Sequence, residues 1–278
     1  MANSTLSNAK AAKKDEFYTM FYDIETEMEA YLDYNPDVFR GKTVLLPCDD
    51  PEWSNFTKYF AQNFEDLGLK KLISTSYAIN SKVIKAGIQT SFLETTSPKF
   101  DKSKTNTHGK IFVLEKDTTG DGKINLEDLE WDYLEGDGDF RSEEVKKLRD
   151  EADIIVTNPP FSLFREFLAW IVEADKQFII LGNINCITYK EVFPLFKYNK
   201  MWLGVTNFNR GMFFRVPDDF EYAPTYKFDK EINGIKVNRV SGICWYTNIE
   251  HGRRHHPLNL LTKEDNIKYS KHKEINGI

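Results

Sequence analysis

Apolar residues in this chain gather into short runs, with stretches of helical period between them. KTVLLP (42–47) reads as a buried strand and LISTSY (72–77) as a second. DIIVT (153–157) shows no polar alternation, as expected of a strand covered on both faces, and FIILG (178–182) and MWLGV (201–205) follow as further strands. Ile24, Met28, Tyr31 and Leu32 recur at helical spacing, and Pro36 ends that helix. Ser54 is placed to cap a helix whose Phe56, Tyr59, Phe60, Phe64 and Leu67 form one apolar face, with Gly68 at its end. Leu163, Phe164, Phe167, Leu168, Ile171 and Val172 form the inward face of another. Thr188 and Glu191 make a capping box before a helix through Phe196. EINGIKV (231–237) places Asn233-Gly234 at a hairpin turn, leading into GICWYTN (242–248) as an antiparallel strand added to the sheet edge. This alternation predicts an α/β fold, with an open, mostly parallel sheet, helices on both faces and an antiparallel C-terminal hairpin.

Residues 1–14 read as a disordered polar tail, 15–250 as the main domain and 251–278 as a C-terminal tail. Residues 80–140 form an irregular insert, with acidic and basic stretches and short strand-like pieces such as IFVLE (111–115). No apolar run approaches a membrane span, and the N-terminus has no signal-peptide core. Cys48, Cys186 and Cys244 lie far apart, without pairing or metal-ligand spacing, so an intracellular, cytoplasmic and disulfide-free chain is expected. The net charge of −6 argues against nucleic acid as a partner, but the charge is segregated. Basic residues gather at Lys13–Lys14, around Lys99–Lys110 and at Arg253, Arg254, His255 and His256, where a local face can meet phosphates. KEINGI occurs at 230–235 and again at 273–278, so the second copy reads as an incomplete hairpin or a disordered tail.

The chemistry concentrates where the strand DIIVT gives way to NPPF (158–161). In open α/β sheets, ligands bind beyond the carboxyl ends of the strands. Each proline lacks an N–H and holds the residue before it extended. Asn158 and Pro159 are thereby fixed as a pair of acceptors, suited to the two hydrogens of a planar –NH2 group. Such dipoles also stabilise the positive charge that the nitrogen gains on alkylation. Pro160 stiffens the turn, and Phe161 offers a ring face to a flat heterocycle. The same residues fit a proline-kinked loop with a core phenylalanine; the buried strand before them and the helix after them favour the site.

Five blocks in order carry a resemblance: DEFYT (15–19) before an acidic helix, LLPCDDPEWSNF (45–56), GDGDFRS (136–142), VTNPPFSLFREF (156–167) and GNINCITYKEVFP (182–194). Together they resemble the EcoRI-type adenine-specific DNA methyltransferases, over roughly residues 15–260. The resemblance implies a Rossmann-like S-adenosylmethionine-dependent fold, a methyl-donor cofactor and double-stranded DNA as substrate, with an adenine flipped out of the duplex. It implies catalytic roles for Asn158, Pro159, Pro160 and Phe161. Phe17, Tyr18 and Thr19, and Pro47, Cys48, Asp49 and Asp50, would lie along the cofactor, while Asp139 and Phe140 would contact its adenine. It also implies a cognate restriction endonuclease without direct contact, and a DNA-recognition region of which 251–278 is a truncated part. The chain departs from most methyltransferases in having PCDDPEW where a glycine-rich turn is usual, and no acidic residue closes LISTSY.

DTTGDGKINLED (117–128) has Asp117, Asp121, Asn125 and Asp128 at calcium-loop positions, but Thr119 and Asp128 replace the usual third and twelfth ligands. An acidic β-turn is the favoured reading, with no metal assigned. Two alternatives to the DNA enzyme stay open: the same transfer to an RNA base or a protein glutamine, and a non-catalytic DNA- or calcium-binding module.

Overall fold

The structure, a computed structural model, describes residues 18–47, 49–50, 54–78, 97–218, 220–257 and 260–269. Its centre is a run of four parallel strands in the order β3 (Lys71–Ser76), β2 (Thr43–Leu46), β6 (Ile154–Thr157) and β7 (Gln177–Asn183). Side chains alternate between two cores. Val44 and Leu46 join Ile24, Met28, Phe56 and Phe60 from helices α1 (Phe21–Tyr34) and α2 (Asn55–Gln62). Leu45 joins Val145, Phe164, Phe167 and Ile171 from helices α3 (Glu143–Glu151) and α4 (Phe164–Glu173). Ile154 and Val156 against Ile155, and Ile179 and Leu181 against Phe178 and Ile180, repeat the division. Each of these side chains is worth about 1.5–3 kcal/mol when fully buried, which explains the lack of polar alternation in the runs.

The sheet is parallel only at this centre. Outside β3 lie β4 (Lys110–Leu114) and β5 (Glu130–Tyr133), both antiparallel to their neighbours. Outside β7 lie β12 (Ile243–Thr247) and then β8 (Trp202–Leu203), also antiparallel. The mostly parallel expectation therefore becomes a mixed eight-stranded sheet, and β12 is an interior strand. MWLGV contributes only two residues to β8, because the amides of Val205 and Thr206 turn aside to the buried Glu27 carboxylate (3.0 and 3.1 Å).

A second, four-stranded sheet runs β1 (Tyr18–Thr19), β9 (Met212–Arg215), β11 (Ile235–Val240), β10 (Glu231–Ile232). Asn233 and Gly234 join its last two strands at φ +50° and +76°, the left-handed pair that an Asn-Gly hairpin requires. Met212 and Phe214 sink into the core beside α1 and α2.

Several expected boundaries move. α2 stops at Gln62, where Asn63 Nδ2 bonds the Tyr59 carbonyl (2.8 Å), though Phe64 and Leu67 stay buried in the turns beyond. Val172 is 41 % exposed, one position past the inward stripe of α4. Thr188 caps nothing; its hydroxyl bonds the Asn185 carbonyl (2.8 Å), and the helix α5 (Phe193–Lys197) starts later, with Pro194 in its first turn. Within the insert, β4 and β5 form an ordered hairpin, and α3 begins at Ser142, whose side chain accepts from the Val145 N–H. Cys186 and Cys244 are free and buried. Among the described residues no helix is long and apolar enough to cross a membrane. The second KEINGI copy lies outside the described residues.

Candidate active site at the carboxyl ends of the parallel strands

From β2 the chain crosses to β3 on one side, while β6 and β7 lie on the other. The crevice beyond β2 and β6 is thus a topological switch point, where such sheets bind ligands. NPPF follows β6 directly. Pro159 is buried, and Asn158 is half-buried with its Oδ1 shielded from water. The Pro160 carbonyl accepts from the Leu163 N–H (2.9 Å), opening a single 3-10 turn, Phe161–Leu163, that runs into α4. Among the described residues no hydrogen bond reaches the Pro159 carbonyl. The Phe161 ring meets Phe214 of β9 nearly edge-on (6.5 Å, 81°).

The segment after β2 is held by buried hydroxyls rather than by glycines. Asp49 is 7 % exposed. Its Oδ1 accepts from Ser54 Oγ (2.7 Å) and its Oδ2 from Thr157 Oγ1 (2.5 Å). Thr157 Oγ1 also reaches the Pro47 carbonyl (2.8 Å). The Asp49 carbonyl accepts from Thr57 Oγ1 (3.1 Å) and Ser74 Oγ. Ser54 keeps its capping role as well, accepting from the Phe56 N–H (3.1 Å), and its own N–H bonds the Asp50 carbonyl (2.7 Å). Cys48 lies outside the described residues.

Tyr18 and Thr19 pair with Arg215 and Phe214 in the small sheet. The Thr19 carbonyl accepts from Asn55 Nδ2 (2.8 Å), at the start of α2. Contacts therefore close a ring through Phe161, Phe214, Thr19, the start of α2, Asp49 and Thr157, back to the NPPF turn. Phe17 lies outside the described residues. Asp23, in the first turn of α1, has its carboxyl pushed up to about 6 by burial.

The 136–140 loop docks on the end of β3. Ala78 N–H bonds the Asp137 carbonyl (2.8 Å). Gly138 has φ +86°, and a Cβ there would stand 2.5 Å from the Ser76 carbonyl oxygen, so the approach requires glycine. Arg141 forks onto Asp139 (2.9 and 2.6 Å), and this guanidinium holds the carboxyl below its ordinary range. The Phe140 ring is wholly buried against Phe167 (5.1 Å) and Trp170 (5.7 Å), in the core under the loop.

Of the residues to which the resemblance gives site roles, Tyr18 and Thr19 form β1, Pro47, Asp49 and Asp50 follow β2, Asp139 lies in the loop docked on the end of β3, and Asn158 follows β6. It missed the clasp by Thr157, Ser54, Thr57 and Ser74. The available signal was a cluster of hydroxyl residues at strand ends and a helix cap.

Other constellations stand apart. Asp117 accepts from the Gly120 (2.6 Å) and Gly122 (2.8 Å) amides, and Asp128 from those of Thr118, Thr119 and Asn125. These amides hold the Asp128 carboxyl far below its ordinary range, with the Asn125 N–H contributing most. Among the described residues no group of three His, Cys, Asp or Glu is arranged to hold a metal; Asp121 only accepts from the Lys123 N–H (2.8 Å). Arg254 stacks on Trp202 (3.8 Å) and bonds Asn199 (2.7 Å), a packing role. On the small sheet, Lys230 (5.0 Å) and Lys236 (5.6 Å) sit over Tyr222, and Arg239 (4.2 Å) over Phe228. Among the described residues none of these three cations pairs with a carboxylate.

Comparison with known proteins adds an independent finding. Residues 5–278 match the family described as "Adenine-specific methyltransferase EcoRI". The chain is 42 % identical over 263 residues to the Type II methyltransferase M.EcoRI of Escherichia coli, covering 94 % of this chain and 73 % of that protein. It is 35 % identical to the Type II methyltransferase M.MpnI of Mycoplasma pneumoniae (92 % and 67 % covered). For M.MgeORF184P of Mycoplasma genitalium the identity is 34 %, with 90 % and 66 % covered. No solved structure matches the chain significantly.

Proposed function

The chain belongs to the adenine-specific methyltransferase EcoRI family, and on that premise we propose that it methylates the exocyclic amine of an adenine in double-stranded DNA, with S-adenosylmethionine as donor. The observation that carries this reading is the Thr157 hydroxyl, bonded at 2.5 Å to Asp49, which joins the NPPF turn to the segment after β2 at the switch point.

The donor set fits a cationic ligand. Asp50 and Asp139 stand on the segments after β2 and beside the end of β3, Asp139 with its charge already met by Arg141. Tyr18, Thr19, Pro47, Asp50 and the 136–140 loop would hold the donor, with Phe17 and Cys48 on the same segments. Bound S-adenosylmethionine supplies an electrophilic methyl group on a cationic sulfur. The chain's task is then to present the amine in line and exclude water.

Asn158 Oδ1 and the Pro159 carbonyl accept the two amine hydrogens. That draws the nitrogen lone pair out of conjugation with the ring and stabilises the charge it gains. The base comes out of the duplex to reach them, and Phe161, braced by Phe214, gives it a face to stack on. The Pro160 carbonyl, already bonded to Leu163, fixes the turn. Lys230, with Lys236 and Arg239 that bond backbone carbonyls but, among the described residues, no carboxylate, supplies phosphate contacts on the neighbouring sheet. On this reading the protein is cytoplasmic and acts as the modifying half of a pair with a nuclease that it need not touch.

Labelled methyl transfer tests the reading. Duplex DNA, RNA and a protein extract are offered in parallel, and the labelled product is digested and identified. N6-methyladenine from the duplex is expected. Label only in RNA or on glutamine would replace the substrate assignment, and no transfer to any of the three would overturn the enzyme assignment.

A further inference from the structure

We infer that Thr157 is a positioning residue, coupling the donor-side segment after β2 to the amine-holding turn after β6. The inference rests on the function proposed above.

The argument starts from what a strand end needs. Thr157 is the last residue of β6, fully buried and covalently next to Asn158. Valine would fill the same volume in such an apolar strand, and the three residues before it are Ile154, Ile155 and Val156. The hydroxyl therefore answers to something other than packing. Its two contacts both lie on the segment after β2: the Pro47 carbonyl at 2.8 Å and Asp49 Oδ2 at 2.5 Å. The second has the length of a hydroxyl–carboxylate bond, about 2.5–2.7 Å, which is roughly twice as strong as a neutral one.

Asp49 is itself immobilised. Ser54 holds its other oxygen, and Thr57 and Ser74 hold its carbonyl. Ser54 and Thr57 belong to the cap and first turn of α2, and Ser74 to β3. The chain has no glycine-rich turn after its first core strand, so this hydroxyl network sets the path of the segment instead. Thr157 is its link to the NPPF turn. Moving the turn by about 1 Å against the donor is enough to cost roughly 10²-fold in rate.

The experiment compares Thr157→Val with Thr157→Ser in the full chain, using single-turnover methylation of duplex DNA and calorimetric binding of S-adenosylmethionine. Thr157→Val is expected to lower the single-turnover rate by about 10- to 100-fold, with donor Kd changed less than about threefold. Thr157→Ser, which keeps the hydroxyl, is expected to bring the rate back to within about threefold of the wild type. Asp49→Ala, which removes the acceptor of the Thr157 hydroxyl, serves if Thr157→Val does not fold, and is expected to give a similar rate loss. Where both fold, the double variant should lose little more than the worse single one, since both remove the shared Thr157–Asp49 contact.

A wild-type rate in Thr157→Val overturns the inference. So do an equal loss in Thr157→Ser, donor binding lost in step with rate, or single losses that multiply in the double variant. Absence of adenine methylation by the wild-type chain would instead sink the underlying function, so the two failures are distinguishable.

Discussion

Replacing Asp23 with Asn removes a charge from a poorly hydrated place. Asp23 lies in the first turn of α1, where the helix dipole favours a carboxylate by about 0.3–1 kcal/mol. Burial outweighs that and raises its pKa from 3.8 to about 6. Below the lower value the carboxyl is protonated in both folded and unfolded chains and costs nothing. As pH rises towards 6 the unfolded chain has released its proton while the folded chain still holds it, so stability falls, and the loss is complete above 6. A shift of about two units at about 1.4 kcal/mol each gives up to about 3 kcal/mol, and water reaching this partly exposed group reduces it to about 1–2 kcal/mol. Urea denaturation of wild type and Asp23→Asn at pH 4 and pH 8 measures it. The two should be nearly equally stable at the lower pH, with the variant more stable by about 1–2 kcal/mol at the higher. A stability difference that does not change between the two pH values would refute the reasoning.

Three further outcomes follow from particular contacts. Calcium should give no binding heat in a calorimetric titration, since Asp117 and Asp128 already hold loop amides; a stoichiometric exotherm would contradict that. Lys230→Ala should weaken DNA binding about equally across sequences and reduce the slope of log K against log salt by about 1, read from binding isotherms at several salt concentrations; an unchanged slope would place the phosphates elsewhere. Gly138→Ala places a methyl 2.5 Å from the Ser76 carbonyl at φ +86°, and should cost about 1–3 kcal/mol in thermal unfolding while weakening donor binding, whereas wild-type values for both would remove the loop from the site.

Much of the centre was legible because burial on both faces leaves a sequence mark. TVLL, IIVT and FIILG read as covered strands, and Asn233-Gly234 as a tight hairpin turn. NPPF could be placed at a strand end because prolines forbid continuation. What could not be read depends on partners remote in sequence. Asp49 and Thr157 are 108 positions apart, and nothing local says that the acid faces inward. Glu27 looks like a surface residue of an acidic helix, yet it is fully buried, because the amides of Val205 and Thr206 and the Tyr31 hydroxyl satisfy it. α3 was hidden by its polarity, with Val145 its one wholly buried apolar side chain. The insertion of β12 between β7 and β8 joins segments remote in sequence, and apolar content alone does not reveal that order.

The central claim is that the turn after β6 grips an adenine amine during transfer. Asn158→Ala tests it most directly, by single-turnover transfer of labelled methyl to duplex DNA with donor affinity measured alongside. The rate should fall by about 10²-fold or more, corresponding to about 3 kcal/mol of lost transition-state stabilisation, with S-adenosylmethionine binding nearly unchanged. A variant that methylates DNA at close to the wild-type rate would contradict the account.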